Sequence, residues 1–410
     1  MSLVVMKFGG TSVSDPDRMR AVADHVARTR RRGTEVVLVV SAMGKETDDL
    51  LRLAGQVTSR PAGREMDMLI TAGERKASAL ICMALHEIGV GAESFTGSQA
   101  GFITDTTHTN AKIIEVRGDR VRRALSEGKV PVVGGSQGVS TAFDVTFLGR
   151  GGSDTTAVAL AKALGAESCE LYTDVSGVYT ADPQVVDDAR RLPFISFDEL
   201  LELTAMGCPK PAMRSVEFAR RHGVSLHVRS SFTWEPGTRV QEEDTDMEQS
   251  VVTAVTYDDS EAKVTVLDAP DRPGVAARLF RSLADCDVNI DMVVQNVSEH
   301  GATDISFTVP HANLDTAREV CEALSAEIGA QSVVTDPGIA KVSIIGAGMK
   351  SHPGVTATMF EVLAAADINI EMISTSPIRV TCVVRSDRAE EALLVLHDAF
   401  ELSGPVPTTS

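Results

Sequence analysis

Gly149-Arg150-Gly151-Gly152-Ser153-Asp154-Thr155-Thr156 carries the residue types of an anion-handling turn. An apolar, β-prone run, Val145–Leu148, precedes it, and an Ala-rich run of helix formers, Ala157–Leu164, follows. Strand, glycine turn and helix start are expected in that order. The glycines let the backbone approach a ligand with no Cβ in the way. The helix start offers unpaired N–H groups and a positive dipole end. Arg150 offers a planar fork for a carboxylate or phosphate. Asp154 is an acid at an anion site, which makes sense if it orients a lysine or a hydroxyl. Alone, the stretch reads equally well as a tight turn before a capped helix, so its companions decide.

The first companion is Lys7-Phe8-Gly9-Gly10-Thr11-Ser12, directly after an apolar strand, Leu3–Met6. A helix is expected over Asp17–Arg32, with Met19, Val22, Ala23 and Val26 on one face. In open α/β sheets, ligands gather at the carboxyl ends of strands. A lysine there is a point charge suited to a phosphoryl oxygen. The spacing fits neither the G-x-x-x-x-G-K-[ST] phosphate loop nor the dinucleotide fingerprint. Strand Glu35–Val40 ends in Ser41-Ala42-Met43-Gly44, and Thr47 precedes a helix expected from about Asp48. These hydroxyls suit ligand contacts or helix caps. Arg64–His86 is helical in period but broken at Thr71-Ala72-Gly73-Glu74-Arg75. Glycine weakens a helix by about 1 kcal/mol, so something is expected to approach closely there. Glu74 could receive an ammonium group, or pair with Arg75 or Lys76.

These residues need a scaffold of alternating elements. Further strands are expected at Val90–Phe95, Gly101–Thr104, Ala111–Val116, Val130–Val133, Cys169–Thr173 and Leu226–Arg229. Helices are expected at Arg117–Glu127, Phe197–Leu203 and Met213–His222. The alternation over residues 1–230 implies a largely parallel sheet covered on both faces. Gly177–Pro183 is a turn-rich loop able to wrap a nucleotide. Gln241–Gln249, acidic and poor in apolar residues, reads as a linker.

The last third repeats itself. Residues 273–292 and 353–372 match at a constant offset of 80, from Pro273-Gly274-Val275 and Pro353-Gly354-Val355 to Asn289-Ile290-Asp291-Met292 and Asn369-Ile370-Glu371-Met372. Each copy reads β-α-β-β-α: 263–268, 274–285, 288–296, 303–309 and 313–326, then 341–346, 354–366, 368–375, 379–385 and 388–400. The first copy closes with strand Gln331–Thr335; the second has none after it. Strand Val251–Tyr257, ahead of the first copy, could complete the second, so the first unit is expected to be inserted within the second. The glycine turns at Gly274 and Gly354 suit a small polar ligand, and ligand sensing with dimerisation is the expected role.

Bulk properties exclude several functions. A chain of 410 residues suggests two or three domains. A formal net charge of −18 offers no basic field for nucleic acid. Six scattered cysteines show neither metal spacing nor a redox pair, and read as reduced and inert. No leader is recognisable and no apolar run reaches membrane-spanning length, so a cytoplasmic location is expected.

Taken together, Lys7–Ser12, Ser41–Gly44, Thr71–Arg75, Gly149–Thr155 and Tyr179–Pro183 resemble the aspartate kinase family, and the repeat resembles its tandem ACT regulatory domains. The resemblance implies an amino-acid kinase fold, a three-layer αβα sandwich with a mainly parallel sheet, plus two ferredoxin-like βαββαβ domains. The implied boundaries are 1–240 for the kinase domain, 241–250 for a linker, 251–258 with 338–402 for the second ACT domain, 259–337 for the first, and 403–410 for a tail. It implies ATP-dependent phosphorylation of L-aspartate to 4-phospho-L-aspartate, with Mg²⁺ arriving on ATP and no dedicated protein metal site. Lys7, Asp154 and Arg150 are the implied catalytic residues. Ser41, Thr47, Glu74, Arg150, Gly151, Gly152 and Ser153 are implied for aspartate. Lys7, Phe8, Gly9, Gly10, Ser12, Thr173, Asp174, Tyr179, Thr180, Ala181, Asp182, Pro183, Gln184 and Lys210 are implied for ATP. Asp271, Gly274, Val275, Ala276, Asn289, Ile290, Asp291 and Gln295 are implied for a lysine or threonine effector, in a homo-oligomer paired through ACT domains. Met247 is a candidate internal start for a separate regulatory chain.

Three departures from the family pattern stand out. Pro209 occupies the position of a lysine that contacts ATP, and Lys210 follows one residue late between two prolines, which fix the backbone. Contact from Lys210 then depends on the loop's path. Gln184 replaces an arginine after Ala-Asp-Pro, one phosphate-pairing charge fewer. The loop Ser298–Thr303 is short. These departures motivate two alternatives, a non-catalytic amino-acid sensor and a pathway-dedicated kinase insensitive to feedback. A third alternative, a kinase of the same fold acting on acetylglutamate, glutamate or a nucleotide, is disfavoured by the ACT pair and by Thr47 with Glu74.

Overall fold

Leu3–Phe8 and Glu35–Val40 run side by side in parallel register, from Leu3 opposite Glu35 to Phe8 opposite Val40. A computed structural model describes residues 2–208, 210–242, 251–295 and 301–404. Pro209, most of the expected linker with Met247, part of the Ser298–Thr303 loop and the tail from residue 405 lie outside the described residues. Contacts divide the chain into two units. The first holds residues 2–179, 191–204 and 210–242, and the second holds 180–190, 205–208 and the described residues from 251 onward. The division is therefore not a single cut near residue 240.

The first unit is built on eight strands in the order Phe194–Ser196, Thr238–Gln241, Leu226–Ser230, Ser168–Thr173, Leu3–Phe8, Glu35–Val40, Val130–Gly134, Ala92–Phe95. Every neighbouring pair is parallel except Leu226–Ser230 with Thr238–Gln241. Side chains alternate across such a sheet. Val4, Met6, Phe8, Val36, Leu38, Val40 and Val132 join Val22 and Val26 of helix Pro16–Arg31 and Ile81 and Leu85 of helix Ala72–Glu87 in one core. The intervening Val5, Val37 and Val39 are fully buried on the other face. Helix Gly152–Leu164 packs there against Leu3–Phe8 and buries Ala157–Ala161. Lys7 belongs to this second face, which directs its side chain toward the start of that helix. The long helical stretch is two helices, Gly63–Ile70 and Ala72–Glu87, meeting at Thr71.

Several short elements escape the sequence pattern. Phe194–Ser196 and Thr238–Gln241 are edge-side strands of three and four residues, too short to show a period. Gln137–Ser140, which is not among the expected strands, pairs with Phe102–Thr104 and Val145–Phe147 in a small separate sheet.

The second unit holds two four-stranded sheets. One orders Val293–Gln295, Ala302–Pro310, Glu261–Pro270 and Ser332–Asp336, with helices Val275–Asp285 and Leu314–Ile328. The other orders Ala254–Asp258, Ile339–Ile345, Arg379–Arg385 and Met372–Ser376, with helices Val355–Ala365 and Ala389–Ala399. Ala254–Asp258 pairs antiparallel with Ile339–Ile345, so one copy lies within the other along the chain. The strands expected from 288 and 368 begin later, at Val293 and Met372. Asp287 and Asp367, each at φ 56°, turn the chain after their helices. Val288 and Ile368 then drop into the core from a loop rather than from a strand.

The two copies also exchange ion pairs. Lys341, 1% exposed, meets Asp291 at 2.7 Å, Glu261 at 3.1 Å and Asp258 at 3.4 Å. Lys263 pairs with Glu371, the counterpart of Asp291 in the repeat. Burial pulls the Lys341 ammonium down, but the three carboxylates outweigh it and hold it above the usual lysine range.

Part of the loop expected to wrap a nucleotide, from Thr180 onward, belongs to the second unit. Ala181 and Val186 join the core of the second unit beside Leu393 and Leu396. Thr180 is fully buried; its hydroxyl accepts the Arg190 N–H at 2.9 Å and lies 2.9 Å from His397 Nε2. Turn chemistry gives no sign of this burial, because the packing partners lie more than 200 residues further along the chain. Of the six cysteines, Cys82, Cys169, Cys321 and Cys382 are buried, Cys208 is half-buried and Cys286 is exposed, and none forms a disulfide.

Candidate active site

Lys7 Nζ lies 2.6 Å from Asp154 Oδ1, and both side chains are nearly buried. Asp154 sits in the first turn of helix Gly152–Leu164 and accepts the Ala212 N–H on Oδ2 at 3.1 Å. The acid thus ties the strand-end lysine to the 210–212 loop. Gly151 heads this helix at φ 74°, and a Cβ there would lie 2.6 Å from the Ala212 side chain. Across the cleft, a Cβ on Gly10 would lie within 3 Å of the carbonyls of Ala42 and Gly44. Gly10 thus allows backbone to close on backbone, and Gly151 leaves room for the Ala212 methyl group.

A cavity of about 480 Å³ opens over this pair, within the range for a small-molecule site. Lys7, Gly9, Gly10, Ser41, Thr47, Glu74, Arg150, Gly151, Ser153, Asp154, Thr173 and Lys210 all line it. Lys7 and Arg150 therefore share one cleft. Arg150 stands at the rim, its side chain 86% exposed, with its guanidinium 3.4 Å from Asp48. Ser153 is buried, its hydroxyl 2.9 Å from that of Ser136.

Glu74 is the most perturbed carboxyl group lining this cavity. It is 3% exposed, and its Oε2 is buried with no hydrogen-bond partner among the described residues. Burial pushes its carboxyl up to about 7, against the opposing hydrogen bonds of its own and the Ala42 N–H, with the charge of Glu46 adding to the rise. At the other end, Lys210 pairs with Asp174, which also accepts the Thr173 hydroxyl at 2.9 Å. Burial pushes Asp174 up, but the Lys210 ammonium and the Thr173 hydroxyl hold it below the usual carboxylate range.

Other expected residues are placed elsewhere. Phe8 is fully buried and stacks on Tyr172 with ring centroids 4.6 Å apart, so it has no side chain to offer a nucleotide. Ser12 is buried and accepts the Ser231 hydroxyl. The Gly9 N–H is committed to the Tyr172 carbonyl at 3.2 Å and is not spare for a phosphate. Gly152 does not line the cavity, nor does the run Tyr179–Gln184. Asp182, Pro183 and Gln184 are exposed, and Tyr179 is half-buried. In the second unit, Asp271, Gly274, Asn289 and Gln295 are exposed, while Ala276 and Ile290 are half-buried. Val275 is buried in the core of its own domain, so only its backbone remains for an effector. The Asp291 carboxylate is engaged by Lys341.

The sequence reading missed Lys45, which lines the same cavity. It follows Gly44 at the carboxyl end of a central strand, the same positional rule that selected Ser41 and Thr47.

The comparisons match this architecture. The family model described as the amino acid kinase family matches residues 2–230, and one described as an ACT domain matches 268–324 and 342–400. The chain is 55% identical to an aspartokinase of Mycolicibacterium smegmatis, over 98% of this chain and 97% of that protein. It is 46% identical to an aspartate kinase of Pseudomonas putida over 99% of both. Among solved structures it resembles Escherichia coli aspartokinase III in complex with aspartate and ADP, with a TM-score of 0.83 and 25% identity over 97% of this chain and 99% of that one. It also resembles the complex of that enzyme with lysine and aspartate, with a TM-score of 0.75, 26% identity and the same coverage.

Proposed function

This chain belongs to the aspartokinases of the amino acid kinase family, and we propose that Lys7, Asp154, Arg150 and Glu74 are the residues around which its reaction is built. The reaction is transfer of the γ-phosphoryl group of ATP to the side-chain carboxylate of aspartate, the first step toward lysine, threonine, methionine and isoleucine. A carboxylate needs little activation as a nucleophile, so positioning and charge stabilisation carry the catalysis.

The carrying observation is the nearly buried Lys7–Asp154 pair in the same cavity as the unpaired Glu74 oxygen. Lys7 neutralises the transferring phosphoryl group, and Asp154 holds its ammonium in place. Glu74 receives the ammonium of aspartate, and Arg150 swings from its exposed rim position onto a substrate carboxylate as a bidentate partner. Ser41, Thr47 and Ser153 supply hydroxyl contacts. Thr173 and the Asp174–Lys210 pair bound the nucleotide end, so that Lys210, despite its shifted position, contributes its charge to the phosphates. Mg²⁺ enters with ATP, held mainly by phosphates and water; the carboxylates of Asp154 and Asp174 are each engaged by a lysine.

Lysine or threonine acts through the ACT repeat, with Asp271, Gly274, Asn289 and Gln295 as the exposed contact set, and the chain works as a homo-oligomer in the cytoplasm. The division of labour is tested with Arg150→Ala. Its KM for aspartate rises about 10- to 100-fold while its KM for ATP stays within about twofold, since one charged hydrogen-bonding partner is worth roughly 1.5–3 kcal/mol. An unchanged KM for aspartate overturns the assignment of Arg150.

A further inference from the structure

Glu46 opens helix Glu46–Val57, one residue before Thr47. An acid at a helix start favours the dipole, and this one also pairs with Lys76, Oε1 to Nζ 2.5 Å. Neither role accounts for its second oxygen. Oε2 is buried and has no hydrogen-bond partner among the described residues. The carboxyl group lies over Gly73, where a Cβ would come within 3.5 Å of Glu46 Oε2 and 2.7 Å of the Ala42 side chain. Gly73 immediately precedes Glu74, and the Ala42 N–H is a hydrogen-bond donor to the Glu74 carboxyl. Two carboxylates, each with a buried unpaired oxygen, thus flank the single contact between Ala42 and Gly73. One belongs to the reaction cavity. The other belongs to a neighbouring cavity of about 660 Å³ that also includes Lys45 and Lys76.

We propose that Glu46 and Lys76 are positioning residues for aspartate: the Glu46 carboxylate, held by Lys76 and seated on Gly73, sets the charge state of Glu74 and hence how tightly the cavity takes the substrate ammonium. This rests on the reading of Glu74 as the ammonium acceptor. Burial is the main reason Glu74 favours its neutral form in the empty cavity, and the like charge of Glu46 adds to it. Substrate binding then expels that proton, because only the carboxylate form pairs with an ammonium. The charged groups around Glu74 are Glu46 from helix Glu46–Val57, Arg75 beside it on helix Ala72–Glu87, and Lys7, Lys45, Asp48, Arg150, Asp154 and Lys210 lining the same cavity. Glu46 and Arg75 act on it in opposite directions. Lys76, bound to Glu46, weakens the effect of Glu46.

The test is the pH profile of KM for aspartate, from pH 5.5 to 9, in the full-length enzyme and in Glu46→Gln, Lys76→Met and Glu74→Gln, with kcat and the KM for ATP measured alongside. In the unaltered enzyme, KM falls as pH rises through about 7. Glu46→Gln moves the midpoint down by about one pH unit, so its KM at pH 6 is roughly fivefold lower, with no difference at pH 8.5 and kcat unchanged. Lys76→Met moves the midpoint the other way. Opposite shifts cannot come from a shared loss of structure. If Glu74→Gln abolishes the pH dependence while Glu46→Gln and Lys76→Met leave the midpoint in place or move it in the same direction, the proposal fails and the role of Glu74 stands. If Glu74→Gln leaves KM and its pH profile intact, the role of Glu74 itself fails.

Discussion

Glu74→Gln is expected to weaken aspartate binding while making the empty enzyme more stable at alkaline pH. The folded carboxyl titrates at about 7 and its ordinary value is 4.5, so the folded chain holds this proton more tightly than the unfolded one. The sign runs opposite to that of a salt-bridged carboxylate. The stabilising contribution of the protonated form is complete below pH 4.5 and is lost as pH rises through 7. A difference of roughly 2.5 pH units corresponds to about 3 kcal/mol of stability given up above pH 7. Glutamine does not ionise and escapes that loss, at the expense of about 1 kcal/mol for an altered hydrogen bond to the Ala42 N–H. The net gain of about 2 kcal/mol at pH 8 corresponds to a rise of roughly 4–8 °C in apparent melting temperature for a unit of this size. At pH 5 the variant and the parent melt together or the variant melts slightly lower. Losing the charged partner of the substrate ammonium costs about 2–5 kcal/mol, which raises KM for aspartate by at least roughly 30-fold. Thermal melts at pH 5 and pH 8, with and without saturating aspartate, together with steady-state kinetics, give both readouts. A variant that is less stable than the parent at pH 8, with an unchanged KM, refutes the reasoning.

Two further perturbations separate the remaining roles. Asp154→Asn lowers kcat, and adding it to Lys7→Ala costs little more, because a residue that acts through Lys7 has nothing left to hold; a double variant showing the full product of both losses contradicts this. Lys341→Met leaves Asp258, Glu261 and Asp291 facing one another without their cation, and its ACT repeat loses about 3–5 kcal/mol, seen as an earlier melting transition; an unshifted melt contradicts it.

Much of the site was legible because it sits at strand ends. Lys7, Ser41 and Thr173 each follow a short apolar run, and position alone marks them. Gly73 marked Glu74, because a glycine inside a helical period needs a reason, here the Ala42 side chain and the Glu46 carboxyl. The repeat offset likewise exposed the nested regulatory domains without any geometry. Other features have no local signature. Thr180 and Ala181 lie in turn-forming sequence, yet their burial depends on residues 393–402. Lys341 lies in an expected strand, but two of the three acids that let it be buried, Glu261 and Asp291, come from the neighbouring copy of the repeat, and the third, Asp258, from the strand paired beside it. Phe8 and Ser12 flank the glycines and share their motif, but alternation along the strand turns Phe8 into the opposite core. Motif membership therefore does not decide which side chains line the cavity, and strand register does so for Phe8.

The central claim is that an ammonium held by Asp154 neutralises the phosphoryl group in transit. Aspartate-dependent ADP release by Lys7→Ala, measured at saturating ATP and aspartate on protein whose circular dichroism matches the parent, tests it most directly. The account predicts a loss of at least about 10²-fold in kcat. Turnover within a few-fold of the parent would contradict it.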